Sequence, residues 1–508
     1  MTTSLRRQPA PSPAPEEPPA LALGPLLLVA ALLAGLLLAV AGRYGYHRDE
    51  LYFLAASHHL AWGYVDQPPL TPALAGVARL IDPDSLVVLR LLPALAVAAM
   101  VVVAGLIARE LGGDRLVQVL TGACTAGIGV VVAAGHLLST TTFDLLAWSV
   151  VTWLLVRLLR TGDRRLWVPL GAAVGLGLLN KATVAQLVGV GLLALLADRR
   201  GRRLLASRWL VAGSIVALAM WAPYLLWQAT HGWPQLAIFA DLRADDGGLG
   251  AGLAFLPLQL LMTNPLLAVV WVVGLVALLR WPELRPWRPL AVAWLLLVGF
   301  YTLVGGKPYY AAGLYPVLYA AGWLRVAAWR AARGRPARPR LVLAAVALAA
   351  LLPVPLLLPV VPVSAVDVVG QVNEDSLETV GWPRYVAQIE AARAALPAAD
   401  QAEVVVVTGN YGEAGAVARF AGPWADGRVA SGHNSWWFWG PPPGDGRVVL
   451  VVGEDPAWLA GRFASVTLAG RLDNGLGIDN EEQGHPVWLA RDLRGGWADW
   501  RAWRHYDG

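Results

Sequence analysis

Ala20-Leu-Ala-Leu-Gly-Pro-Leu-Leu-Leu-Val-Ala-Ala-Leu-Leu-Ala-Gly-Leu-Leu-Leu-Ala-Val-Ala41 is a run of 22 residues without a charge. Its end, Ala39 and Ala41, resembles a signal-peptidase site, but the apolar part of a signal peptide spans only roughly 7 to 15 residues. A helix of about 20 residues crosses about 30 Å of hydrocarbon, so the run reads as a retained first membrane span. Residues 1–19, with six Pro among Arg6, Arg7, Glu16 and Glu17, bury too little apolar surface to offset ordering entropy and read as a disordered cytoplasmic tail.

Outward from this run the pattern repeats. Apolar stretches lie at about 86–108, 116–137, 144–160, 166–180, 182–197, 209–227, 252–279, 289–304, 309–327 and 341–361. With the first they predict about eleven transmembrane helices, a mainly α, polytopic domain over 20–361 with a large first outer loop at 42–85. The runs meeting at Asn180 and Lys181 are short and also fit a tight hairpin. Composition agrees: of 508 residues 57% are hydrophobic and 15% charged, against about 25% charged in soluble domains. A soluble globular protein is excluded.

The net charge of +5 divides along the chain. Up to Val361 there are 29 Lys and Arg against 16 Asp and Glu, and beyond it 11 against 19. With a cytoplasmic N-terminus, 22 of those 29 cations fall on inner segments, as the positive-inside rule requires. Only Arg43, Arg48, Arg79, Arg90, Lys181, Arg243 and Lys307 stay outside. Eleven crossings then put the acidic remainder outside a cell membrane. Over 365–508, Val404–Val407 and Val448–Val452 are β-branched runs followed by Gly and by helix-compatible stretches, Glu413–Phe420 and Pro456–Phe463. That is the βα rhythm of a parallel sheet in an extracytoplasmic α/β domain. Scattered Arg without interleaved aromatics argue against nucleic acid, and the single Cys124 excludes an internal disulfide.

The residues able to do chemistry gather at outer span ends. The first loop opens Arg43-Tyr-Gly-Tyr-His-Arg-Asp-Glu-Leu-Tyr-Phe53, with Asp49 and Glu50 where a lipid-borne substrate would meet a base. Asp49 equally suits the N-cap of a helix over Leu51–Leu60, with Glu50 in its first turn. The Pro pair of Gly63-Tyr-Val-Asp-Gln-Pro-Pro-Leu-Thr-Pro72 holds Asp66 and Gln67 extended, presenting side chains or forming a rigid connector. Asp144 begins the fourth span, where a charge is costly enough to suggest function. Arg90 and Lys307, with Lys181, could hold a phosphate leaving group or snorkel to headgroups. Tyr309 and Tyr310 flank Lys307. In the tail, ten Trp and the segment Ser431-Gly-His-Asn-Ser-Trp-Trp-Phe-Trp-Gly440 suit an interface, core packing or a sugar face. No nucleotide fingerprint occurs, and no cofactor is called for. His47, His58, His59 and His136 lack metal-ligand spacing, which leaves a hard divalent cation on the carboxylates as the weaker option.

Together these residues resemble bacterial members of glycosyltransferase family 39, relatives of protein O-mannosyltransferases and of lipid A aminoarabinose transferases, which share the membrane GT-C fold. The resemblance is carried by Arg48-Asp-Glu-Leu-Tyr-Phe53, Asp66-Gln-Pro-Pro69, Leu89-Arg-Leu-Leu-Pro93, Phe143-Asp144, Lys307-Pro-Tyr-Tyr310 and Tyr315-Pro316. Asn410-Tyr-Gly-Glu-Ala414 and Ser431–Gly440 look like the tail of an actinobacterial branch. The family implies inverting transfer of a mannose-like hexose or a pentose from a polyprenyl-phosphate carrier to a hydroxyl on a protein, lipid or glycan acceptor, among membrane lipids. Asp49 matches its catalytic carboxylate, Glu50 completes the Asp-Glu pair, and Arg90 matches an arginine near the donor phosphate. Asp66, Gln67, Asp144, Tyr309 and Tyr310 would contact substrate, and Asn410, Tyr411, His433, Asn434 and Trp436 the acceptor or sugar. The aminoarabinose branch has Glu-Lys before its Pro pair where this chain has Asp66-Gln67, so Arg48, Lys181 or Lys307 would have to supply that charge. A lipid-linked glycan transporter or flippase would also be polytopic, but it should place ionisable groups near the midplane on broken, repeated helices, and no repeat is visible. A receptor-like module built on the acidic tail would leave the loop carboxylates unexplained.

Overall fold

The computed structural model describes residues 17–245, 249–335 and 338–507. The segment expected to be a disordered tail lies, over 1–16, outside the described residues. Its end is held: Arg109 Nε donates to Pro19 O at 2.7 Å and Gln118 Nε2 to Ala20 O at 3.0 Å.

Every one of the eleven apolar runs forms helix, but they do not make eleven equivalent spans. Six helices are long and apolar enough to cross a membrane: Leu23–Val40, Leu86–Glu110, Thr140–Thr161, Arg208–Thr230, Pro282–Val304 and Pro339–Leu357. Two further runs are broken, Arg115–Ala126 with Gly129–His136 bent by 60° and Gly252–Met262 with Pro265–Arg280 bent by 108°, which brings the number among the described residues to eight where each bent pair counts as one span. Trp167–Leu178, Thr183–Ala197 and Tyr315–Ala331 have 12, 15 and 17 residues, short of the about 20 a perpendicular span needs. The run 252–279 is therefore not one straight helix. Pro265 disfavours helical geometry at the residue before it, and Asn264 takes φ +69. Its side chain repairs the break: Oδ1 accepts from Leu266 N at 3.2 Å, and Nδ2 donates to Ala349 O at 2.7 Å and Gly127 O at 3.3 Å. Gly127 is the break in the other bent pair, so one amide satisfies backbone that water cannot reach.

Small residues let the helices approach. A Cβ on Gly274 would sit 1.8 Å from Leu318 O, and one on Gly322 would sit 2.1 Å from Val270 O, so these two helices touch backbone to backbone. Trp167–Leu178 and Thr183–Ala197 are separate helices joined by the short connection at 179–182. Asn180 fixes this connection, accepting from Thr71 Oγ1 at 2.8 Å and donating to Thr140 O at 2.7 Å.

The C-terminal region holds a five-stranded sheet of order β2-β1-β3-β5-β4, made of β1 Val405–Thr408, β2 Val429–Ser431, β3 Val448–Val452, β4 Phe463–Arg471 and β5 Pro486–Leu493. β1 is parallel to β2 and β3, with both expected runs adjacent in register. The sheet is mixed rather than parallel, because β5 pairs antiparallel with β3 and β4. The stretch expected to stay helical to Phe463 ends at Ala460, and Phe463 starts β4. β1 and β3 are buried throughout, as strands covered on both faces are.

This region and the first loop share a core. Leu51, Tyr52 and Phe53 cluster with Trp382, Tyr385, Val386, Ala414 and Val417. Gly415 lets the Tyr411–Phe420 helix lie on the Arg48–Ala56 helix, since a Cβ there would meet Leu51 Cβ at 2.9 Å. Packing thus brings residues 48–56 and 411–420 together.

Candidate active site

The Arg48–Ala56 helix begins with a capping box formed by His47, not Asp49. His47 Nδ1 accepts from Asp49 N at 3.1 Å, and Glu50 Oε2 accepts from His47 N at 2.9 Å. The expectation that Asp49 caps this helix is corrected: it sits inside the first turn with its carboxylate free to point elsewhere.

Glu50 and Arg90 are corrected as well. Glu50 is 0% and Arg90 1% exposed, and they pair through Arg90 Nε to Glu50 Oε1 at 3.0 Å and Nη2 to Oε2 at 2.7 Å. Glu50 also accepts from Leu138 N at 3.0 Å. Arg90 spends its remaining donors on Ala41 O at 2.8 Å, Gly45 O at 2.7 Å and His136 Nε2 at 3.0 Å. A guanidinium has five N–H groups, and all five are committed. Arg90 therefore has none left for a donor phosphate and Glu50 no room to act as a base. The pair is a buried clasp joining the first loop to the Leu86–Glu110 and Gly129–His136 helices, and breaking either half would cost about 3–5 kcal/mol.

Asp49, one residue away, is half-buried. Tyr411 OH donates to its Oδ1 at 2.9 Å, and among the described residues its second oxygen accepts no hydrogen bond. A matching pair lies beside it, with Tyr52 OH donating to Asp66 Oδ1 at 2.9 Å. The two tyrosine rings stack at 4.8 Å. Burial holds both phenols well above their usual range, so they remain donors. Burial also pushes the Asp66 carboxyl up to about 7, against the pull of the Tyr52 hydrogen bond and with help from the nearby Asp49 charge.

Asp66 and Gln67 open on a cavity of about 590 Å3 with Lys181, Arg243, Tyr301 and Tyr310 on its wall and Ile238, Phe239, Phe300 and Val304 as its apolar side. Both amide atoms of Gln67, in the wall of this cavity, are buried without a partner among the described residues. Lys181 Nζ donates to Thr141 Oγ1 at 3.1 Å and lies 5.4 Å from the ring centres of both Tyr309 and Tyr310. The charges of Asp49, Asp144 and Lys307 all reach it. Asp144 stands behind the wall, accepting from the cavity residue Thr183 at 2.7 Å. Asp144 does not itself line the cavity.

Arg48 turns the other way. It pairs with Glu481, lies 4.9 Å from the Tyr411 ring and faces a second cavity on the sheet, together with Asn410, Tyr411 and His433. Arg48 therefore does not reach the inner cavity as a phosphate ligand would. Asn434 and Trp436 line neither cavity. Asn434 Nδ2 donates to Asp507 O at 2.9 Å and Trp436 packs on Trp439 at 4.8 Å. Two groups cluster titratable side chains, His433 with His505 and Asp507, and Glu378 with Glu481 and Glu482. The His433 and His505 rings stack at 4.9 Å. The three glutamates surround Arg48, and burial pushes Glu482 up to about 7 despite that cation. Sequence reasoning missed Tyr52 and Tyr411 as the carboxylate holders: Tyr52 meets Asp66 across 14 residues of loop and Tyr411 meets Asp49 across 362 residues, and nothing local marks either phenol.

Residues 66–227 match the family model described as dolichyl-phosphate-mannose-protein mannosyltransferase. The crystal structure of ArnT from Cupriavidus metallidurans bound to undecaprenyl phosphate is similar in fold, with TM-score 0.60 and 16% identity over 92% of this chain and 97% of that chain. Its apo state gives 0.60 and 15% over 93% and 98%. The apo Archaeoglobus fulgidus oligosaccharyltransferase gives 0.47 and 16% over 80% and 65%. No curated protein matches the sequence. The chain thus has the fold of ArnT over nearly its whole length, and its residues 66–227 match the mannosyltransferase family model.

Proposed function

We propose that this protein transfers a mannose-like hexose or a pentose from a polyprenyl-phosphate carrier to an acceptor hydroxyl at the outer face of the cell membrane, with Asp49 as base. The observation that carries this reading is the Asp49 carboxylate, held through one oxygen by Tyr411 and open at the other, within electrostatic reach of Lys181 on the cavity wall. The ArnT structure of the same fold holds undecaprenyl phosphate, and a phosphate on a long apolar tail suits a cavity with a lysine at one side and Ile238, Phe239 and Phe300 at the other.

The acceptor oxygen attacks the anomeric carbon from the face opposite the phosphate while its proton passes to Asp49. The bond from that carbon to the phosphate oxygen breaks, and the carrier leaves as polyprenyl phosphate. The single displacement inverts the anomeric centre. Lys181, supported by Lys307, stabilises the charge that grows on the leaving phosphate, where a fixed cation in a dry site counts most. The partnerless amide of Gln67 offers a donor and an acceptor to the sugar, and Asp66, held by Tyr52, supports them.

Orientation follows from charge and packing together. The excess of cations on the expected inner segments supports an outer 42–85 loop, and the packing of the C-terminal region on that loop supports the same side for both, which corresponds to an odd number of crossings. The test is transfer of label from a radiolabelled polyprenyl-phosphate sugar by purified protein, with Asp49→Asn expected to abolish it.

A further inference from the structure

The sheet carries a second cavity, of about 550 Å3, that this chemistry does not use. It lies at the C-terminal ends of β1 and β3, lined by Gly409 and Asn410 after the first strand and by Gly453 and Glu454 after the second. β1 leads on to β2 at one side, while β3 leads on toward β4 at the other. Connections that diverge in this way leave the crevice in which open α/β sheets take ligands. Gly453, at φ +77, keeps its floor low, since a Cβ there would lie 3.1 Å from Glu413 Oε2.

The wall selects against an anion. Arg48 and Arg504 face Glu454, Glu481 and Asp507, so charges of both signs are interspersed. The helix that starts at Tyr411 is closed by its own capping box of Asn410 and Glu413, which uses its first amides and puts a carboxylate where a phosphate would need to bind. What remains is a set of alternating donors and acceptors with three aromatic rings, Tyr411, Trp458 and Trp503, the last two edge to face at 4.7 Å. Mixed polar groups beside aromatic faces match a neutral sugar, whose hydroxyls need both donors and acceptors and whose C–H face packs on a ring.

We infer that this cavity is a saccharide-binding site and that the acceptor is a glycan presented from it to Asp49. The inference rests on the reading of Asp49 as the transferase base. Tyr411 links the two, with its ring in the cavity wall and its hydroxyl on Asp49. The donor then arrives from the membrane side and the acceptor from the sheet side of the Tyr52–Tyr411 stack.

The test titrates full-length protein in nanodiscs with manno-, arabino- and gluco-oligosaccharides, a Ser/Thr-rich peptide and inorganic phosphate, followed by tryptophan fluorescence. Saturable binding of at least one saccharide series is expected, weakened about tenfold or more in Trp458→Ala and in the exposed Arg504→Ala, and retained in Asp49→Asn. Far-UV circular dichroism confirms that the variants fold. The inference is overturned if no saccharide binds while the donor is still turned over, if only the peptide or phosphate binds, or if both variants bind saccharide as wild type does. Transfer by Asp49→Asn at the wild-type rate would overturn the underlying reading whatever the titration shows.

Discussion

The hydroxyl of Tyr411 donates to the carboxylate of Asp49 at 2.9 Å, across 362 residues of chain. This bond ties the sheet-bearing region to the loop between the first two spans and fixes which oxygen of Asp49 stays open. Replacing Tyr411 by Phe keeps the ring on Tyr52 and removes the bond. Expected is a fall in kcat of about tenfold to a hundredfold with the donor KM little changed, checked by steady-state transfer kinetics. A change confined to the donor KM would speak against the orienting role.

Arg90 and Glu50 should behave as a structural pair. Arg90→Ala leaves a fully buried Glu50 without its cation, so a loss of stability of about 3–5 kcal/mol is expected, visible as a lowered melting temperature in detergent. Donor KM in whatever protein folds should match wild type. A folded variant of normal stability with weakened donor binding would restore Arg90 to the phosphate.

Lys181 is the cation to remove for a donor effect. Its turn is pinned by Asn180 and its ammonium sits over two tyrosines, so Lys181→Met should leave the fold intact. Loss of leaving-group stabilisation predicts a drop of about a hundredfold in kcat/KM, measured with the same labelled donor.

The Asp66 carboxyl keeps its proton up to about 7, against 3.8 for an ordinary aspartate. The folded protein therefore holds this proton more tightly than the unfolded chain does, so stability falls as pH rises from about 4 to about 7 and levels off above. Asp66→Asn preserves an acceptor for Tyr52 and should flatten this part of the curve, read from melting temperature against pH. An unchanged slope would remove Asp66 as its source.

The proposed odd number of crossings is open to labelling, because the single native Cys124 is buried. A cysteine placed at exposed Asp426 should react with an impermeant maleimide on intact cells, and one at exposed Arg200 only after permeabilisation. Labelling of both from the same side would break the packing argument.

The helices were legible because an apolar run must be satisfied internally in lipid, and each of the eleven runs is helical. Their bends were less so, since the 108° turn at Asn264 depends on what its amide meets on Gly127 and Ala349. β1 and β3 announced themselves by β-branched residues buried on both faces, whereas β4 is largely exposed and has no such pattern. In the candidate site, Arg48-Asp49-Glu50 reads as one segment in sequence, but its three side chains part company in the fold. Successive helical residues point about 100° apart, so Arg48 faces the sheet cavity, Asp49 faces Tyr411 and Glu50 is buried on Arg90. Only packing decides which carboxylate stays open.

The most direct measurement is single-turnover transfer from a labelled polyprenyl-phosphate sugar by purified Asp49→Asn protein in proteoliposomes, with donor binding followed in parallel. Loss of transfer by about a thousandfold or more with donor binding preserved is the predicted result. Transfer at the wild-type rate would contradict the assignment of Asp49 as the base.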